Sequence, residues 1–176
     1  MKNFNLLVST SRYNETNAKA ELWFTLLLCN DEYPIISGFK FPGLVMASTN
    51  LDNRKVISKI KSLLRKDPAF FQFILKIIPI DFVCETDVQI ISELIQTHYK
   101  DFIHDKDTFK ITLKRRKNQK IERSIFIDEV ARNISNPVKL ENPDKIIRIE
   151  ILGNISGISF LSNEDLIKVN SQFNSI

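Results

Sequence analysis

From Phe4 to Val83 the apolar spacing alternates between a period of two and a period near 3.6, in an order that few folds can accommodate. Phe4 to Ser9 is an apolar run of strand length. From Asn14 to Cys29, the residues Ala18, Leu22, Leu26 and Cys29 recur at helical spacing, and Trp23 and Leu27 widen the stripe. Asn14 offers an N-cap. Tyr33 to Phe41 and Leu44 to Ser48 read as strands joined through Pro42 and Gly43. Asp52 to Lys66 reads as a second helix, apolar along Val56, Ile57, Ile60, Leu63 and Leu64. Its other side is crowded with Arg54, Lys55, Lys59, Lys61, Arg65 and Lys66. Phe70 to Val83 then reads as one long strand, with Pro79 marking a bend or an edge.

This β-α-β-β-α-β order predicts a ferredoxin-like unit over residues 1–80, with two helices on one face of an antiparallel sheet. A second, α/β unit is expected over residues 81–176. Thr86 is expected to cap a helix running from Asp87 to about Ile103, with Val88, Ile91, Leu94 and Ile95 facing inward. Phe109, Ile111 and Leu113 alternate as one face of a strand. Ser124 to Ile134 reads as a helix with Ile127, Val130, Ala131 and Ile134 on its apolar stripe. Val138 to Leu140 is expected as a short strand. Ile146 to Leu152 and Ile158 to Leu161 should flank a turn from Gly153 to Gly157, and a short helix should start near Asn163. The whole is expected to be an α+β protein in which the ferredoxin-like unit packs on the α/β unit.

Composition narrows the chemistry. A chain of 176 residues suits one domain or two small ones. Only four glycines are present, which argues against a phosphate-cradling glycine loop. No apolar run reaches the roughly 20 residues of a membrane span, and Met1 to Ser11 lacks the layout of an export signal, so a cytoplasmic location is expected. Cys29 and Cys84 sit in apolar contexts and read as buried free thiols. His98 and His104 are spaced wrongly for one helical face, and neither has a cysteine at metal-ligand spacing. The acidic groups Asp81, Glu85, Asp87 and Asp101, Asp105, Asp107 suit capping and solvation. No serine lies in a nucleophile elbow. The expectation is therefore no catalytic residue, no metal and no cofactor.

The net charge of +4 is mild, but the cations are gathered locally. Lys110, Lys114, Arg115, Arg116, Lys117, Lys120 and Arg123 crowd one stretch in which Glu122 is the only acid. Like charges this close repel one another, and a polyanion relieves that cost. Arginines meet phosphate as planar forks, and lysines act as point charges. A helix starting at Ser124 would aim its N-terminal N–H groups at the same place, with Ser124 available to cap it or to donate. A nucleic-acid backbone is the partner this pattern suits, against the plainer reading of a solvated charged loop. The basic side of the Arg54 to Lys66 helix is a second, weaker candidate, since solvated helix faces commonly look like this.

Three stretches carry a family resemblance. Thr108 to Ile134, TFKITLKRRKNQKIERSIFIDEVARNI, resembles the central strand, loop and helix of the THUMP domain. Leu140 to Leu161, LENPDKIIRIEILGNISGISFL, resembles its closing strands, including the turn at Asn142, Pro143 and Asp144. Phe4 to Leu26 resembles the ferredoxin-like unit of stand-alone THUMP proteins, most closely the tRNA-acetylation adaptors. The resemblance implies tRNA binding without catalysis, assisting a separate acetyltransferase that makes N4-acetylcytidine. An alternative is an RNA-binding subunit of a methyltransferase or thiolation enzyme whose catalytic part lies on another chain. Carried over, the RNA contacts fall on Lys114, Arg115, Arg116, Lys117, Asn118, Lys120, Arg123 and Ser124. The hairpin departs from single-strand readers in having no aromatic between Lys114 and Glu122 on which a base could stack.

Overall fold

The computed structural model describes residues 3–116 and 122–169. It is an α+β protein that divides into two compact units, residues 1–80 with 164–176, and residues 81–163.

In the first unit, strands β1 (Leu6–Thr10), β2 (Ile35–Gly38), β3 (Leu44–Ser48) and β4 (Ile74–Pro79) join β9 (Ile167–Lys168) in one sheet. Its order is β2-β3-β1-β4-β9, and every pairing is antiparallel. Helices α1 (Glu15–Leu28) and α2 (Asn53–Lys66) cover one face. The core there joins Ala18, Leu22 and Leu26 of α1 with Val56, Ile57 and Ile60 of α2 over Leu6, Val8, Val45, Ala47, Ile74 and Ile77. The ferredoxin-like expectation holds because α1 and α2 kept the apolar spacing read from the sequence. Asp52 caps α2 by accepting the Lys55 N–H at 2.8 Å. Asn14 stands at the start of α1 but makes no side-chain cap.

The long strand expected from Phe70 to Val83 is two strands in two sheets. The Ile80 N–H still donates to Asn5, beside β1, whereas the next N–H, on Asp81, donates to Ile158. The chain changes sheets between those two residues. Pro79 lacks an N–H, and the backbone on either side of it supplies the pairing. The C-terminal helix expected near Asn163 is likewise absent among the described residues. A turn leads instead to β9, which pairs with β4 through Ile167↔Ile77 and Lys168↔Lys76. The tail assigned by sequence to the second unit therefore completes the first unit's sheet.

The second unit is a four-stranded sheet, β5-β8-β7-β6, built from β5 (Phe82–Glu85), β6 (Phe109–Arg116), β7 (Lys145–Leu152) and β8 (Ile155–Leu161). Helices α3 (Val88–Phe102) and α4 (Arg123–Ala131) pack on one face. Strands β6 and β7 are parallel neighbours, so β6-α4-β7 is a crossover unit. Ile91, Ile95, Phe126 and Val130 close the core against Phe109, Leu113, Ile147, Ile149 and Ile151. Asp87, not Thr86, caps α3, accepting the Gln89 and Ile90 N–H groups at 2.8 and 3.0 Å. The β7-β8 turn is two residues, with Gly153 at φ +76°, so Ser156 and Gly157 lie inside β8 rather than in a wider turn. Val138 makes only an isolated bridge to Phe109.

Candidate nucleic-acid interface

Register fixes what meets at one end of the second sheet. Arg116 pairs with Leu152, Leu152 with Ile155, and Ile155 with Glu85, so these four residues form the last rung of the sheet. Beyond Arg116 the chain passes into α4, whose first residue is Arg123. Beyond Glu85 it passes into α3, capped by Asp87. Both helix N-termini thus lie at this end, together with the turn at Gly153 and Asn154. Thr86 ties the arrangement together: its N–H donates to Asn154 at 3.0 Å, and its hydroxyl shares a hydrogen bond of 2.8 Å with Ser156.

The cationic stretch is strand, not loop, as far as Arg116. Side chains on a strand alternate, so it is divided between faces. Arg115 continues the series Phe109, Ile111 and Leu113 toward the helices, and Lys114 and Arg116 lie on the opposite face. All three are exposed. Lys114 stands beside Glu150, whose carboxylate is already engaged by Arg148 through an Nε–Oε1 contact of 2.8 Å. Lys110 drops out of the cluster. It lies six residues, about 20 Å, from Arg116 along the strand, and its ammonium donates to the Leu140 carbonyl at 3.3 Å.

Arg123 and Ser124 are exposed in the first turn of α4. Ser124 does not cap the helix. Glu122 occupies that position without a side-chain cap, and the Ser124 hydroxyl donates to its carboxylate at 3.1 Å. A carboxylate therefore stands at the helix end that would attract phosphate. Lys117, Asn118 and Lys120 lie outside the described residues.

Across the sheet the charge changes sign. The cations occupy the β6 edge, and Glu85 and Asp87 sit three strand spacings away, roughly 14 Å.

The parallel βα junction is held from its other end. The Asp144 carboxylate accepts the Thr108 N–H at 2.8 Å and the Thr108 hydroxyl at 2.6 Å. These bonds hold its pKa below the ordinary carboxylate value, the hydroxyl bond contributing most. Asn142 beside it adopts φ +47°. Sequence reading noted this turn but not its clasp on the start of β6.

Among the described residues no cluster of His, Cys, Asp or Glu could hold a metal ion, and no helix is long and apolar enough to cross a membrane. His98 stacks on Phe82 with ring centres 4.4 Å apart. Cys29 is buried and Cys84 half-buried, both free thiols. Burial, followed by the charges of Asp87 and Glu85, pushes the Cys84 thiol up to about 11, far from a reactive thiolate.

A four-stranded sheet with one parallel edge pair, two helices on one face and a basic strand leading into a helix make up the second unit. Residues 85–161 match the family model of the THUMP domain. No curated protein sequence matches the chain. Among solved structures it is similar to PH1313 from Pyrococcus horikoshii, with 19% identity, a TM-score of 0.69, and coverage of 94% of this chain and 55% of that one. It is similar to a 4-thiouridine synthetase solved with RNA and ATP, at 13% identity and a TM-score of 0.61, covering 94% of this chain and 42% of that one. TrmN from Thermus thermophilus matches at 11% identity and a TM-score of 0.56, covering 88% and 44%. Identities this low speak to the fold, and the chain spans about half the length of these structures.

Proposed function

We propose that the chain binds tRNA through the β6 edge of its THUMP domain and acts as a non-catalytic adaptor for tRNA modification, the partner being an acetyltransferase that forms N4-acetylcytidine. The observation that carries the RNA reading is the meeting of Lys114, Arg115 and Arg116 at a strand end with the N-terminus of α4, inside a domain matched as THUMP. Binding of this kind grips the sugar-phosphate backbone and leaves base identity to the partner. The acetylation role follows from the resemblance of Phe4 to Leu26 to the tRNA-acetylation adaptors. A second reading is an RNA-binding subunit for thiolation or methylation. The 4-thiouridine synthetase, solved with RNA, shares this fold and favours it.

The test of RNA binding is a gel shift with bulk tRNA. Arg115→Glu with Arg116→Glu changes both faces of the strand end and should abolish binding while the chain still folds, as read from a cooperative melting curve. Equal affinity of the double variant and the parent would remove the proposal. Nucleoside mass spectrometry of tRNA from a deletion strain separates the two roles: loss of N4-acetylcytidine supports the adaptor, and loss of a thiolated or methylated nucleoside supports the alternative.

A further inference from the structure

The first unit holds a cationic site assembled from residues far apart in sequence. Lys61 and Arg65 of α2 and Lys168 of β9 line an open hollow of about 360 Å³, floored by Leu64, Leu166 and Ile167. Lys61 and Arg65 are four residues apart on the helix, a spacing at which like charges repel. Lys168 adds a third cation, and it stands opposite Lys76 in the sheet register. Helix α2 contains no acid in its sequence. None of the described lining residues is acidic, and among the described residues no hydrogen bond or ion pair engages the side chains of Lys61, Arg65 or Lys168.

The ordinary explanation for basic residues here is compensation of the helix dipole, and it serves Arg65 and Lys66 in the last turn. It does not serve Lys61, a turn earlier, nor Lys168, which arrives on another strand. Their gathering is a product of the fold.

We propose that this hollow is a second phosphate site, which takes the sugar-phosphate backbone of RNA. The shared chemistry is the phosphate anion. The open shape favours a polynucleotide over a free phosphate: the hollow offers two flexible ammonium groups and one guanidinium on an apolar floor, with no helix N-terminus to enclose a small anion. This rests on the reading that the chain binds RNA, but on different residues in the other unit, so the two can fail separately.

The experiment compares the full chain with a Lys61→Gln, Arg65→Gln, Lys168→Gln variant. Affinity for bulk tRNA is measured against salt concentration by filter binding, with Lys168→Gln alone as a milder substitution. Loss of three phosphate contacts should weaken binding about tenfold or more and lower the slope of log affinity against log salt by about two to three. Bound tRNA should also slow chemical acylation of Lys61 and Lys168, a readout that requires no mutation. If the parent binds tRNA but the triple variant matches it in affinity and slope, and these lysines label at the same rate with and without tRNA, the hollow is not an RNA site and the β6 proposal stands. If the parent does not bind tRNA, both proposals fall. If inorganic phosphate raises the melting temperature of the parent but not of the variant while tRNA protects neither lysine, the ligand is a free anion and the RNA assignment is overturned.

Discussion

At Glu21 one carboxylate accepts three consecutive backbone N–H groups, from Gln72, Phe73 and Ile74, at 2.7, 3.1 and 2.8 Å. These donors precede or open β4, and no strand partner is needed for them while the carboxylate is present. Removing it strands part of the set, and hydrogen bonds to a charged group contribute about 1.5–3 kcal/mol. Glu21→Ala should therefore cost on the order of 2 kcal/mol in denaturant unfolding, and a loss within the scatter of surface substitutions would contradict this account. Gly43 is a second such residue. Its φ is +79°, and a Cβ there would lie 2.9 Å from the Thr10 carbonyl, a backbone atom with no freedom to retreat. Gly43→Ala should destabilise the chain by roughly 1–3 kcal/mol. The turn at Gly43 could be read from sequence, but not its close approach to Thr10, nor the role of Glu21. Glu21 lies on a helix like any solvated acid, and its partners are about fifty residues distant. The cations of the interface were legible, because charge density is a property of the chain itself. Their division between two faces was not, since it depends on β6 continuing through Arg116 where polarity suggested a loop.

Helix α4 shows what an element adds to its residues. The N-terminus that ought to favour phosphate begins one residue earlier than the sequence suggested and carries Glu122 at its cap. A carboxylate there favours the helix dipole by about 0.3–1 kcal/mol, while repelling an approaching phosphate. Glu122→Gln should therefore bind tRNA more tightly and melt slightly lower, a pairing of effects that a purely structural role would not produce. Unchanged or weaker binding in the same gel shift would place the phosphate path away from α4. The other differences between expectation and structure are also element-scale. Strands β4 and β5 form one apolar run in sequence, and only the switch of hydrogen-bond partner from Asn5 to Ile158 separates them. Strand β9 is two residues long, too short to leave a period, and is defined solely by its partner β4. The helices, in contrast, were legible nearly to their ends, because three or four turns of apolar spacing outweigh errors at any single cap.

At the scale of the whole molecule each unit contains a carboxylate whose pKa the fold depresses, so acid should act on both. In the first unit the Gly43 N–H donates to Glu15 at 2.6 Å and is the largest cause of its lowered pKa. In the second the Thr108 hydroxyl does the same for Asp144. A group with a depressed folded pKa contributes its stability in full above its unfolded value, near 4, and loses it as pH falls through the folded value. The melting temperature should thus be insensitive to these two groups from neutral pH down to about 5, then fall below about 4. Thr108→Val removes the hydroxyl bond, the largest cause of the lowered Asp144 pKa, keeps the backbone N–H bond, and leaves Glu15 untouched. That variant should melt below the parent at neutral pH, and the gap should narrow as pH falls from about 4 through the lowered folded pKa of Asp144. A gap that stays constant to low pH would mean the threonine acts by packing and by accepting the Asp144 N–H, and its hydroxyl bond to the carboxylate would not set the strength of the clasp. Because β6 carries Lys114, Arg115 and Arg116 at its far end, the same variant tests how firmly that strand must be held. If the clasp sets the strand's position, tRNA affinity should fall with the neutral-pH stability, although Thr108 lies about 25 Å along the strand from Arg116 and outside the proposed phosphate path.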